Sequence, residues 1–225
     1  MNFSKFSAFA ILSSFCIFLI LIRLIKSGIL SNISNHRIIS RHQLTFVFLI
    51  WNLFLAWVPY LISHLYTRQQ FVQKSIYLRL ILLSCWLLFF PNALYIITDL
   101  LHLRPRSGIP YWYDIILLFS FSLTGIFLGF ESLRNMIKLW RGTFSDKYYA
   151  ITPYIFLFFG SIGVYIGRFL RWNSWDIISN PLHIVRDATA IFLFPDRHLH
   201  ELAIIFCLTT FFSLIYWFIN FIIND

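Results

Sequence analysis

The stretch LRLILLSCWLLFFPNALYIITDLLHLR, Leu78 to Arg104, carries Arg79 near its start and then no charge until Asp99. About 20 apolar residues in succession are what an α-helix needs to cross a hydrocarbon core roughly 30 Å thick. In lipid only helices and closed barrels satisfy their own backbone groups. The run shows no strand-like alternation, so it predicts a transmembrane helix over about 78–98.

The same criterion selects five more segments, at about 7–25, 44–63, 113–133, 151–170 and 201–222. Composition agrees: of 225 residues, 59% are hydrophobic, 20% aromatic and only 12% charged. A soluble domain carries about 25% charged residues, and this much apolar surface would aggregate in water. The expected fold is therefore an all-α integral membrane protein of six transmembrane helices. With no repeat or linker, it is read as one domain over residues 1–225, its partner the lipid bilayer.

The first segment lacks an A-x-A-like cleavage site and is flanked by Arg23 and Lys26, so it is expected to be retained. Between the fifth and sixth segments, Pro181 suits a helix start. Leu182, Val185, Thr189 and Phe192 then recur at steps of three and four. That pattern predicts an amphipathic helix lying on the membrane or capping the bundle.

The net charge of +9 does not point to nucleic acid. The basic residues lie mostly between apolar segments, where they anchor loops to headgroups, and no nucleic-acid module pattern occurs. They divide almost evenly between the two sides, which leaves the positive-inside rule undecided. The flanks of the first helix favour as cytoplasmic the side holding 26–43, 99–112 and 171–200, called here the near face. Cys16, Cys85 and Cys207 sit in apolar runs and form no disulfide framework.

Within the opening stretch, Asn92, Tyr95, Asp99 and His102 are spaced three, four and three apart. On an α-helix they share one face, a polar stripe running out of the membrane to the near face. Pro91 at its base removes a backbone donor and predicts a kink. A second stretch, GRFLRWNSWD, Gly167 to Asp176, leaves the fifth segment on the same side. There Arg168 and Arg171 share a face with Trp175, and Trp172 and Asp176 lie four apart. Six of the nine carboxylates also fall on the near face, and four of the seven histidines, His102, His183, His198 and His200, lie on its loops 99–112 and 171–200. Taken singly, these residues are ordinary interfacial anchors; together they mark a candidate site. Asn52, at membrane depth in the second segment, is expected to form a helix–helix hydrogen bond. Gly125–Gly129 and Gly163–Gly167 are G-x-x-x-G pairs on neighbouring segments, expected to pack on each other.

No zinc-protease, nucleophile-elbow or paired-glutamate motif is present. His198, His200 and Glu201 alternate in a way that a helix would point apart. No metal and no cofactor is expected.

At WNLFLAWVPY (51–60), LLFFPNALYIITDLLHL (87–103), WYD (112–114) and GRFLRWNSWD (167–176) the chain resembles the bacterial membrane proteins grouped as domain of unknown function 1361. The resemblance runs from about residue 45 to the end. It implies a multi-pass protein of the bacterial inner membrane and supplies no activity. It places characteristic polar residues on Asn92, Asp99, His102, Asp114, Arg168, Arg171, Asn173 and Asp176. Leu94 stands where the family is associated with Pro.

The expected function is a membrane-embedded enzyme or binding protein acting on an amphipathic or lipid-linked substrate at the near face. Asp99, His102 and Asp176 are the expected acid–base groups, since His beside a carboxylate transfers protons near neutral pH. Asn92, Tyr95, Asp114, Arg168, Arg171, Trp172 and Asn173 are the expected binding residues, the arginines suiting an anionic group. The alternatives are a small transporter with Asn52, Asn92 and Asp99 along its path, and a complex subunit or assembly factor whose polar cluster serves packing alone.

Overall fold

The computed structural model describes residues 4–28, 44–68, 75–106, 108–138, 146–172 and 176–224. Helix α1 spans Lys5–Lys26, opened by Ser4, whose Oγ accepts from the Ser7 amide. Next come α2, Phe48–Arg68, and α3, Ile76–Tyr95, the latter continued by a 3₁₀ helix over Ile96–His102. They are followed by α4, Tyr111–Lys138, and α5, Asp146–Arg168. A short α6, Asp176–Ser179, and α7, Pro181–Leu193, lead into α8, Leu199–Asn224. Among the described residues there is no strand. Six elements (α1, α2, α3 with its 3₁₀ extension, α4, α5 and α8) are long and apolar enough to cross a membrane. The chain is an all-α multi-pass membrane protein.

Helix α4 is the axis of the bundle. Its apolar window is 67% buried, against 17% for α8 at the edge. One apolar cluster joins α1, α2 and α4 through Leu19, Leu53 and Phe121. A second joins α3, α4, α5 and α8 through Trp86, Phe130, Leu157 and Phe212. Large side chains such as Phe18, Phe54, Phe119, Phe159 and Phe218 remain on the outside, as lipid rather than water requires.

The two glycine pairs do not pack on each other as expected. Both receive α3, which lies between α4 and α5. A Cβ on Gly125 would stand 2.7 Å from the Ala93 carbonyl oxygen, and one on Gly163 would stand 2.3 Å from Cγ of Pro91. The physical reason lies in α3 itself. Phe90, Pro91 and Leu94 are bulky on both sides, so each flanking helix must be flat where α3 approaches. Pro91 lies inside α3, which continues as an α-helix to Tyr95 and tightens to 3₁₀ geometry from Ile96.

Helix α7 forms where expected, with Pro181 in its first turn. The apolar stripe of Leu182, Val185 and Phe192 faces outward, with Leu182 81% exposed. The opposite face, with Ile184, Asp187 and Ile191, turns to the bundle, where Ile191 is buried.

Candidate functional site

Arg168, in the last turn of α5, meets the end of α3 at the near face. Its three guanidinium nitrogens are all engaged. Nε donates to Thr98 Oγ1 at 2.7 Å, Nη1 meets His102 Nε2 at 3.0 Å, and Nη2 forms an ion pair with Asp99. The guanidinium carbon also lies 4.3 Å from the centre of the Tyr95 ring, a cation–π contact. Because Arg can only donate, His102 Nε2 is the acceptor, and the neutral ring carries its proton on Nδ1.

Asp99 is fully buried. Its second oxygen accepts from Asn52 Nδ2 at 2.8 Å, so α2 closes the network from the other side. Taking two ions out of water costs several kcal/mol per ion, which their attraction offsets only when the remaining donors and acceptors are filled. The Thr98 hydroxyl donates a hydrogen bond to the Tyr95 carbonyl at 2.6 Å, which leaves its oxygen lone pairs for Arg168. Asp99 and His102 are bridged by Arg168; among the described residues they share no ion pair of their own.

A cavity of about 520 Å³ adjoins this network, bounded by α2, α3, α5 and the α6–α7 arm. Asn52 and Tyr95 belong to both: they line the cavity and contact the charged pair. Asn92 also lines it, with Nδ2 donating to the Phe89 carbonyl at 3.2 Å. Trp172 closes the near end, its indole N–H held by Asp187 of α7 at 3.0 Å. Among the described residues, none of the lining side chains is ionisable at neutral pH.

The sequence-predicted residues therefore separate into groups. Asn92, Tyr95 and Trp172 line the cavity, while Asp99, His102 and Arg168 form the network behind its wall. Asp114 belongs to a different centre. It is 2% exposed and pairs with Arg23 of α1 at 2.8 Å and with Arg106 at 3.3 Å. The two guanidinium groups lie 4.7 and 4.6 Å from the Phe46 ring. Arg171 is exposed at φ 63°, and Asp176 begins α6, half-buried. Asn173 lies outside the described residues.

Two participants escaped the sequence reading. Thr98 stands three residues after Tyr95 on the same stripe, a spacing that could have drawn it in. Arg23 reads as a headgroup anchor at a helix end, yet its side chain is only 1% exposed. On the far face, Glu131 is held by Lys5 at 2.7 Å and Arg134 at 3.0 Å, and Arg134 also reaches Asn220 at 2.9 Å.

No curated protein and no solved structure matches this chain. The model of the family described as "Protein of unknown function (DUF1361)" matches residues 51–216, most of the chain, and the protein belongs to that family.

Proposed function

We propose that this protein binds an amphipathic, lipid-like molecule in the cavity between α2, α3, α5 and the α6–α7 arm, in the bacterial inner membrane that the family resemblance implies. One observation carries the reading: Asn52 and Tyr95 are at once cavity wall and direct partners of a buried Asp99–Arg168 pair. Greasy walls of Leu55, Phe159 and Ile162 suit a hydrocarbon chain, and the volume is within the ~300–1,000 Å³ of small-molecule sites. Proton transfer through Asp99 or through His102 Nε2, the expected catalytic step, needs Arg168 or Asn52 to release the atom that acts. Binding is thus the step this arrangement serves before any chemistry.

A second reading is favoured by the engagement of all three guanidinium nitrogens of Arg168 within the bundle: the network is a structural clamp, as in a subunit or assembly factor. A transport path is less supported, since none of Lys5, Glu131 or Arg134 on the far face lines the cavity. The deciding test is native mass spectrometry of the protein released from nanodiscs, wild type beside Leu55→Trp. The binding reading expects a retained amphiphile in the wild type that the cavity-filling variant loses. A variant that folds and retains the same molecules, or a wild type that retains none, overturns it in favour of the clamp.

A further inference from the structure

Resting on the binding reading, the chemistry of the wall identifies the class of molecule. A site for a phosphate or carboxylate needs a cation with donors to spare, and a site for an amine needs an open carboxylate. Among the described residues the lining has neither. No charged side chain is among them, although both an acid and a guanidinium stand directly behind the wall. Arg168 spends three of its five N–H groups inside the network, both oxygens of Asp99 accept within it, and neither residue lines the cavity. The pair is neutral as a unit and presents no net charge to the cavity.

What remains for a ligand is uncharged. Asn52 must turn Nδ2 toward Asp99, because a carboxylate only accepts; this leaves Oδ1 as an acceptor. Tyr95 lines the same wall, and its hydroxyl makes no hydrogen bond among the described residues, leaving a donor and an acceptor. A group that both donates and accepts, such as an alcohol, satisfies the two together. An anion would meet the oxygen of Asn52 with no counter-charge, and an ammonium would meet the guanidinium through one layer of side chains. Either would lose its hydration without compensation. The volume of about 520 Å³ suits one chain rather than a two-chain phospholipid.

We propose that the cavity is selective for an uncharged single-chain amphiphile, a long-chain or prenyl-type alcohol, whose hydroxyl lies between Asn52 Oδ1 and the Tyr95 hydroxyl. The polar half of the site is built to exclude the charged headgroups that surround the protein in its own membrane.

The test uses the full chain in phosphatidylcholine nanodiscs and a diazirine-bearing analogue of hexadecanol. Photolabelling is mapped to peptides of α3 and α5, then competed with unlabelled hexadecanol, hexadecyl phosphate or hexadecylamine at equal mole fraction in the bilayer. The expected result is labelling on both helices, displaced by hexadecanol at least tenfold more effectively than by the phosphate or the amine. Tyr95→Phe removes one hydroxyl partner and keeps the ring beneath Arg168, so it should weaken hexadecanol competition about three- to tenfold. Equal or better competition by the charged probes overturns the selectivity and leaves the binding reading standing. An unchanged Tyr95→Phe overturns the placement of the head. Labelling that no probe displaces overturns the binding reading itself, and this inference with it.

Discussion

Asp99 and Arg168 stand 69 residues apart in the chain and form an ion pair whose carboxylate is fully buried, at the meeting point of three helices. The pair fixes the register of α5 against α3, and through Asn52 that of α2 against both. Its energetic signature is specific. Asp99→Ala or Arg168→Ala strands a buried charge and should each cost about 3–5 kcal/mol. The double variant Asp99→Leu/Arg168→Met, which removes both charges and keeps the volume, should recover most of that loss. Unfolding in bicelles measures all three; single-variant penalties that simply add in the double variant would show that the two residues are not coupled.

The second charged centre should respond unequally at its two arginines. Arg23 is 1% exposed and is bonded to Asp114 through two nitrogens, so Arg23→Ala should cost about 3–5 kcal/mol and loosen α1 from the bundle. Arg106 is 19% exposed and lies 3.3 Å from the same carboxylate, so Arg106→Ala should cost no more than about 1 kcal/mol beyond its contact with Phe46. Proteolysis or unfolding assays would rank the two; a larger effect at Arg106 contradicts the assignment of Arg23 as the main partner.

Two glycines four residues apart on α5 should give effects of opposite sign. An added methyl at Gly163 meets the Pro91 ring at 2.3 Å, and a rigid ring cannot step aside. Gly163→Ala should therefore destabilise by about 1–3 kcal/mol. At Gly167 the nearest atoms are 3.5 Å away, on the Tyr95 ring, an ordinary contact. Gly167→Ala should be neutral or stabilising, by up to about 1 kcal/mol, because alanine gives up less backbone entropy in a helix. Thermal shifts of the purified variants decide the comparison.

How far the sequence could be read follows from what each signal depends on. Helix positions need only local runs of apolar residues, and all six apolar segments became helices long enough to cross a membrane. The stripe on α3 was legible because residues three and four apart share a face whatever surrounds the helix. Its partners were not. Which helix supplies Arg168 or Asn52 depends on tertiary packing, and neither is near Asp99 in the chain. The same limit explains the glycine pairs. G-x-x-x-G says that some backbone comes close, and adjacency in sequence suggested α4 on α5, but the bulk of α3 decided otherwise. Asp114 and Arg168, at helix ends on the same face, read as parts of one cluster; the bundle assigns them to separate centres.

The outward stripe of α7 predicts where that helix lies. A nitroxide at Leu182→Cys, on the 81%-exposed position, should be accessible to oxygen dissolved in lipid and shielded from a water-soluble nickel chelate. A label at Ile191→Cys, buried against the bundle, should be inaccessible to both. Strong nickel accessibility at Leu182 would place α7 in water instead.

The 3₁₀ extension of α3 also sets a depth. The 20 residues of α3, at 1.5 Å each, climb about 30 Å, the thickness of the hydrocarbon. The seven residues that follow rise about 2.0 Å each and add roughly 14 Å, reaching through the headgroup layer. In an upright helix whose hydrocarbon span is α3 itself, Asp99, fourth in the extension, lies some 8 Å beyond that span. The proposed amphiphile, with its head beside Asn52 and Tyr95, would then keep the height it has among the surrounding lipids. Exchange with the leaflet is then a sideways step, with no polar group dragged through oil.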